Sequence, residues 1–178
     1  MADIIECAES PAYFILNHCQ IYDAEAREWI PFDLWVEQGE ALDTIEGNRL
    51  TVILKARQLG MTWLVLCYAL WLMLFRPMAA VLLFSRRDDE AIHLLDFRLK
   101  GIYGRLPPHL KGGLEVVVDS KHEWELTNGS TARAFPTTAG DSYTATLAVV
   151  DEADLVPDLG RLMGCLLYTS PSPRDRSL

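Results

Sequence analysis

The decisive stretch of this chain is residues 50–75, LTVILKARQLGMTWLVLCYALWLMLF. Its first part, residues 50–56, is apolar and contains β-branched side chains, which predicts a short buried strand. Its last part, residues 63–75, is an unbroken apolar run that predicts a helix. A helix of that length spans about 20 Å, whereas the apolar core of a membrane is about 30 Å thick. We therefore expect a helix buried in a protein core and no membrane span.

The rest of the chain predicts further strands and one more long helix. The predicted strands are residues 79–84, 114–118, 122–126, 130–135 and 146–150, with Asn128-Gly129 as a hairpin turn. Ser85 is expected to cap a helix whose apolar face carries Ala91 and Ile102 and which ends before Pro107. Because buried apolar strands alternate with helices, we expect an α/β fold with a mostly parallel sheet and helices on both faces.

Composition limits the classes of function. The 178 residues fit one domain, or one domain plus a fragment. Sixteen basic and 25 acidic side chains give a formal net charge of −9, which argues against a protein that holds nucleic acid mainly by neutralising phosphates. The four cysteines are scattered and the four histidines complete no metal-binding spacing, so buried reduced thiols in a cytoplasmic protein are expected.

The loop between the first predicted strand and helix is residues 55–62, KARQLGMT. A loop in this position directs backbone N–H groups and a helix N-terminus toward one point, which favours an anion. Against the phosphate-loop pattern G-x-x-x-x-G-K-[ST], Gly60 and Thr62 fill the second glycine and the hydroxyl positions. Met61 stands at the lysine position and Lys55 at the first glycine. Taken alone, the loop favours an ordinary turn between a strand and a helix over a phosphate site.

A second candidate site follows the predicted strand at 146–150, where Asp151 and Glu152 come directly after four apolar residues. Ligands in open α/β sheets lie at the carboxyl ends of strands. An aspartate there can hold Mg²⁺ through water, and the adjacent glutamate can orient or deprotonate an attacking water. A solvated loop start is the simpler alternative. With the loop at 55–62, these carboxylates supply the groups that nucleotide hydrolysis needs.

The three segments KARQLGMT, VLLFSRRDDEA and LAVVDEAD, in this order, resemble the N-terminal ATPase domain of the terminase large subunit, the DNA-packaging motor of tailed bacteriophages. The resemblance covers about residues 10–164. It implies an ASCE-type P-loop NTPase fold that is incomplete at the C-terminus, an ATPase activity, and ATP with Mg²⁺ as cofactors. The family's nuclease domain is expected to lie outside this sequence.

The resemblance also implies roles for particular residues. Arg57 matches an arginine that acts on the γ-phosphate, and Glu152 matches the catalytic carboxylate. Thr62 and Asp151 match the Mg²⁺-binding hydroxyl and aspartate. Lys55 is the expected substitute for the lysine that other members carry where Met61 stands.

The remaining expected nucleotide contacts lie in the same loop and in an upstream segment. Gln58, Gly60 and Met61 belong to the loop. Residues 31–38 are similar to the family's adenine-proximal segment, in which Gln38 would read the base and Trp35 would stack on it.

With the resemblance, the chain divides into an N-terminal segment, 1–49, and a partial ATPase core, 50–164. The residues from 165 to 178 have no helical or strand period and end in serine, proline and arginine, so this tail is expected to be non-native or disordered. The implied partners are double-stranded viral DNA, the portal protein and the terminase small subunit, and the implied assembly is a homo-oligomeric ring in the host cytoplasm, without a membrane. Two alternatives remain open: a DEAD-type helicase or translocase core, and a non-catalytic α/β module that binds an anion. A helicase would be expected to keep lysine at position 61.

Overall fold

The computed structural model describes residues 2–56, 59–136, 144–156 and 159–169, with the backbone alone for 165–169. The α-helices of these ranges are α1 Ala2–Glu9, α2 Pro11–His18, α3 Val36–Gly47, α4 Met61–Phe75, α5 Asp88–Ile92, α6 Lys100–Arg105 and α7 Leu159–Thr169. The strands are β1 Gln20–Asp23, β2 Glu28–Pro31, β3 Ala80–Ser85, β4 Val116–Asp119, β5 Glu123–Leu126, β6 Thr131–Pro136 and β7 Leu147–Val150. The chain divides into two compact units, which comprise Met1–Phe75 with Arg98–Gly113, and Arg76–Phe97 with Leu114–Leu178.

Short helices and a hairpin open the first unit. Ser10 caps α2 by accepting a hydrogen bond from the backbone N of Tyr13 at 3.1 Å, and Pro11 occupies the first turn, where its missing N–H costs nothing. Strands β1 and β2 pair antiparallel across a turn in which Asp23 Oδ1 accepts from two backbone N–H groups and Arg27 has a φ of 58°. The sequence patterns did not predict this hairpin, although its strands are as long as Glu123–Leu126 and Leu147–Val150, which were predicted.

Helix α4 confirms the prediction of a buried apolar helix. Residues 66–74 are all buried, and Leu64 and Leu70 are fully enclosed. The helix ends at Phe75, ahead of Pro77, whose ring disfavours helical geometry in the residue before it. No helix in the described part of the chain has the length and apolar character needed to cross a membrane.

The predicted buried strand at residues 50–56 is wrong. The segment has no regular secondary structure and belongs to neither described sheet. Val52 is 86% exposed and Leu54 is fully exposed to solvent. Apolar composition predicts burial only when another surface covers the segment, and here the described residues leave these side chains in solvent.

The second unit contains a five-stranded sheet with the order β4-β5-β6-β3-β7. Strand β3 pairs parallel with β6 and β7, whereas β5 pairs antiparallel with β4 and β6. The expected mostly parallel sheet of a P-loop NTPase is therefore wrong: the sheet is mixed. Two of its connections are too short for a parallel crossover, which needs a dozen or more residues, so β4, β5 and β6 form a meander. Gly129, with a φ of 78°, makes the second of these turns at the predicted Asn128-Gly129 position.

Strands β3 and β7 confirm two of the predicted strands, and β3 is buried along its length apart from its first residue. Leu82 and Phe84 of β3 form a core cluster with Val156 and Leu162. The ring of Phe84 stacks on that of Phe135 of β6 at a centroid separation of 5.7 Å. Val81 and Leu83, which point to the opposite face of β3, are also fully buried, so apolar side chains cover both faces of this strand.

The predicted helix after β3 is present but is not regular. The chain is helical from Asp88 to Arg105, and the middle of this run, His93–Leu99, is a π-helix. The expected apolar face is confirmed, since Ala91, Leu94, Leu95, Leu99 and Ile102 are all buried. Ser85 is not the cap, because β3 extends through it and Arg87 occupies the capping position without a side-chain hydrogen bond.

Helix α7 continues to Thr169, so it includes the first five residues of the tail that was predicted to be non-native or disordered. Residues 170–178 lie outside the described residues. The predicted segment boundaries at 49 and 164 stay predictions.

Candidate functional site

The turn before α4 contains the best-defined part of the predicted loop. Gly60 has a φ of 67°, a conformation that glycine adopts without the strain a side chain would bring. The backbone N of Leu64 donates to Gly60 O at 3.0 Å, so the helix begins immediately after this turn. Lys55 Nζ donates to Thr62 Oγ1 at 3.4 Å. The predicted cation and the predicted hydroxyl therefore lie together at the N-terminus of a 15-residue helix.

Gln38 holds this turn in place. Its side chain is buried; Oε1 accepts from the backbone N of Trp35 at 3.0 Å, and Nε2 donates to Leu59 O at 2.9 Å. A Cβ at Gly60 would lie 2.8 Å from Gln38 Nε2, so the φ of this residue favours glycine and a larger residue would displace the amide of Gln38. The residue expected to read a base thus bonds to the loop itself, whereas the ring of Trp35 is 57% exposed.

The other predicted loop residues are placed only in part. Met61 is the first residue of α4 and is partly buried. Arg57 and Gln58 lie outside the described residues, so their expected contacts with phosphate stay predictions.

The predicted carboxylates lie at the carboxyl end of β7, an edge strand of the described sheet. The backbone N of Asp151 donates to Phe84 O at 3.0 Å, which extends the parallel pairing with β3 by one residue. Glu152 then turns the chain with φ 52° and ψ 46°, in the left-handed region, and its side chain is exposed. A non-glycine residue in this region carries strain, and such residues concentrate at functional sites. Residues Ala153–Leu155 follow as a 3-10 helix.

A charged group lies at the same edge of this sheet, where β3 ends. Ser85 Oγ donates to Glu90 Oε2 at 3.0 Å, and Arg86 reaches the other oxygen of Glu90 at 3.6 Å. The arginine and the glutamate are one helical turn apart and are partly exposed, so this pair contributes little to stability. Together with Asp151 and Glu152, this pair places an arginine and three carboxylates beyond the carboxyl ends of β3 and β7.

The loop at the start of α4 belongs to the first unit, and Asp151 with Glu152 belongs to the second. The donor types fit the implied cofactors: an ammonium, a hydroxyl and first-turn N–H groups suit a phosphate, and a carboxylate suits Mg²⁺. The sharing of one Mg²⁺ by Thr62 and Asp151 stays a prediction.

A second cluster of polar side chains was missed by the sequence patterns. Asp3, Cys7 and His18, which we call the Asp3 cluster, bring a carboxylate oxygen, a sulfur and a ring nitrogen within 4.8 Å of one another. One signal could have indicated it, namely the four-residue spacing of Asp3 and Cys7 on one helix face. The distance along the chain to His18 fits no standard metal motif. No known protein-family model matches the chain.

Proposed function

We propose that the chain binds ATP at the loop 55–62 and hydrolyses it, as a motor-domain fragment of a phage terminase large subunit that drives viral DNA into the procapsid. The observation that carries the proposal is the contact between Lys55 Nζ and Thr62 Oγ1 at the start of α4. The positive end of a helix, a lysine and a hydroxyl at one point form a suitable environment for a phosphate group.

The proposal assigns a role to each of the predicted residues. Lys55 supplies the compact positive charge for the β- and γ-phosphates that Met61 cannot supply. Thr62 and Asp151 hold Mg²⁺, and Glu152 orients or deprotonates the attacking water. Arg57 contacts the γ-phosphate, where its planar group suits charge that develops during transfer.

The adenine-proximal residues are assigned differently from the expectation. Both amide atoms of Gln38 are hydrogen-bonded to backbone groups of Trp35 and Leu59. We therefore assign Gln38 to holding the loop and keep Trp35, whose ring is exposed, as the stacking partner of the base.

The strained backbone of Glu152 supports a catalytic assignment for this residue. The left-handed conformation costs roughly 1–2 kcal/mol for a residue with a Cβ. Glycine would adopt it without that strain, so the presence of a glutamate is consistent with a carboxylate that is needed at this position.

The wider setting follows from the sequence resemblance. The proposed partners are double-stranded viral DNA, the portal protein and the terminase small subunit, in a homo-oligomeric ring at the procapsid in the host cytoplasm. Because the net charge of this chain is −9, we assign most contact with DNA to other parts of that assembly.

The test is ATP binding to the full chain by calorimetry, with Mg²⁺ and then with EDTA. We expect binding that falls at least tenfold in EDTA and falls similarly in Lys55→Ala. The matched control is Lys121→Ala, which removes an exposed lysine of the second unit and should bind ATP like the parent. Absence of ATP binding contradicts the proposal. Binding of phosphate without hydrolysis would identify an anion-binding module, and ATP-dependent strand separation would identify a helicase.

A further inference from the structure

The Asp3 cluster is built by two short helices at the start of the chain. Asp3 and Cys7 lie one turn apart in α1 and therefore share a helix face. His18 is the last residue of α2, and the capping residue Ser10 joins the two helices. The ring N–H of Trp71 in α4 donates to Cys7 O at 2.6 Å and fixes the end of α1 that carries the thiol.

The spacing of the three side chains suits a single metal ion. Asp3 Oδ1 lies 3.0 Å from His18 Nε2, and the sulfur of Cys7 completes a group within 4.8 Å. Ligands of a tetrahedral ion at bond lengths of about 2.0–2.3 Å are separated from one another by about 3.3–3.7 Å. An ion at the centre could therefore bond all three atoms after small side-chain rotations.

The donor set selects the type of ion. A thiolate, an imidazole and a carboxylate are ligands that Zn²⁺ accepts together, whereas Mg²⁺ and Ca²⁺ prefer oxygen alone. Cys7 is fully buried, and the side chain of His18 is only 13% exposed. Asp3 is 36% exposed on its side chain, which leaves a path for the ion and for a water ligand.

Neighbouring groups hold Asp3 in the orientation that a metal ligand needs. His109 Nε2 lies 2.9 Å from Asp3 Oδ2, the oxygen that does not face His18. Tyr13 Oη donates to Oδ1 at 3.2 Å. Hydrogen bonds from outer groups to ligand carboxylates are typical of metal sites. The hydrogen bond from His109 is the largest of the effects that lower the pKa of Asp3.

Hydrogen bonds between one carboxylate and two histidines would by themselves explain why Asp3, His18 and His109 lie together. It does not explain the buried sulfur of Cys7 at the same point. A cation bonded to all three groups would account for the sulfur as well as for the carboxylate and the imidazole.

We propose that Asp3, Cys7 and His18 bind one Zn²⁺ ion, with water at the fourth position. The thiol of Cys7 releases its proton to solvent when the sulfur–zinc bond forms. His109 is a positioning residue, which acts on the ion through Asp3. Zinc at this point joins α1 to α2 and stabilises the start of the first unit.

The experiment uses Co²⁺ as a spectroscopic probe, added to the full chain after treatment with a chelator. We expect one equivalent of Co²⁺ to produce a thiolate-to-cobalt charge-transfer band that Zn²⁺ then removes by displacement. Cys7→Ser should abolish the band. The matched control, Cys67→Ser, removes another buried thiol and should keep it.

Two histidine variants separate the positioning residue from the ligands. His109→Gln should keep the band but weaken affinity by about 10–100-fold, the usual effect of losing an outer partner. His122→Gln, which removes an exposed histidine bonded to Asp88 in the second unit, should bind Co²⁺ like the parent. Lys55→Ala should also leave Co²⁺ binding unchanged, so the zinc proposal and the ATP proposal can fail separately.

Three results would overturn the zinc site. The first is a parent chain that gives no band, and the second is a band that persists in Cys7→Ser. The third comes from Asp3→Asn, a partly exposed position chosen in case Cys7→Ser does not fold. Asp3→Asn should reduce Co²⁺ affinity at least tenfold, and unchanged affinity contradicts the assignment.

Discussion

At Glu152, one residue combines a strained backbone, which affects the stability of the fold, with a side chain that is proposed to act in hydrolysis. Its left-handed conformation is one of three non-glycine examples in the described chain, the others being Arg27 in the β1–β2 turn and Met78. Arg27 lies in an exposed hairpin turn of the first unit, where no role in hydrolysis is proposed. The two positions therefore allow the strain to be measured with and without a functional side chain.

Replacement of Glu152 by glycine should stabilise the fold and stop hydrolysis. Relief of the left-handed strain should raise the free energy of unfolding by up to about 1 kcal/mol. Loss of the carboxylate should reduce single-turnover ATP hydrolysis by a factor of about 10²–10⁴. Arg27→Gly is the control, with a similar stabilisation and unchanged turnover. Denaturant unfolding and single-turnover assays measure both effects.

Glu152→Gln separates the effect of losing the carboxylate charge from the effect of relieving the backbone strain. It keeps the strain and the side-chain volume, so its unfolding free energy should match that of the parent, while turnover falls as in Glu152→Gly. Parent-like turnover in Glu152→Gln would assign the base to another residue, with Asp154 as the first candidate.

Gly60 should be far more sensitive to substitution than Gly39. A Cβ at Gly60 would combine a φ of 67° with a 2.8 Å approach to Gln38 Nε2, and we expect Gly60→Ala to lower the unfolding free energy by about 1–2 kcal/mol. At Gly39, inside α3, a Cβ meets nothing within 4 Å, so Gly39→Ala should stabilise the helix by up to about 1 kcal/mol. Thermal melting of both variants measures the contrast. Equal changes in melting temperature for Gly60→Ala and Gly39→Ala would show that the turn before α4 accommodates a Cβ without strain.

At the scale of elements, the segment 50–56 shows where sequence patterns mislead. Its composition matches that of β3, and both were predicted as buried strands. Only β3 is buried: it lies between β6 and β7 in the sheet, and Val156 and Leu162 pack with its side chains. Composition describes the segment alone, whereas burial depends on partners that come from distant parts of the chain.

Substitution can test this exposed segment directly. Leu54→Ser replaces a fully exposed side chain and should change the unfolding free energy by less than about 0.5 kcal/mol. Leu70→Ala in α4 removes a fully buried side chain and should cost about 2–5 kcal/mol. Denaturant unfolding distinguishes the two. A loss above 2 kcal/mol for Leu54→Ser would restore the buried strand.

The parts of the fold that were predicted correctly share one property, which is a strong local signal. The apolar run of α4, the Asn128-Gly129 turn and the buried face of the helical run at 88–105 follow from residues close in sequence. The mixed order of the sheet depends on long-range pairing, such as that of β3 with β7, which no local pattern encodes. The Asp3 cluster was missed for the same reason, since Asp3 and Cys7 lie in α1 and His18 lies at the end of α2.

For the candidate site too, the contact between residues close in sequence was predicted and the long-range contact was not. Lys55 and Thr62 were expected to share one point, and their side chains do lie together. The role expected for Gln38 could not account for its hydrogen bond to Leu59, because that contact joins residues 21 positions apart. A sequence resemblance indicates which residue types are needed but not which of them the fold uses internally.

At the scale of the molecule, charge predicts weak affinity for DNA. With a net charge of −9, the full chain should show no retention of double-stranded DNA at about 0.15 M salt, and at most weak retention at low salt. Fluorescence anisotropy with a labelled duplex measures this. Strong binding at physiological salt would contradict the assignment of DNA contact to other parts of the assembly. Arg86→Ala combined with Arg87→Ala would then show whether the edge beyond β3 is responsible.

The interleaving of the two units has a consequence for how the protein is made. Strand β3 leaves the ribosome before both of its parallel partners, and at about 5–20 residues per second the 65 residues from Ser85 to Val150 take about 3–13 seconds to synthesise. In the nascent sheet, the internal strand β3 is therefore made first, and its two parallel partners, β6 and β7, are made last. The first unit likewise waits for residues 98–113, which follow a segment of the second. A cut after residue 75 deprives the first unit of 98–113, and a cut after 113 deprives the second of 76–97, so no single cleavage yields both units whole.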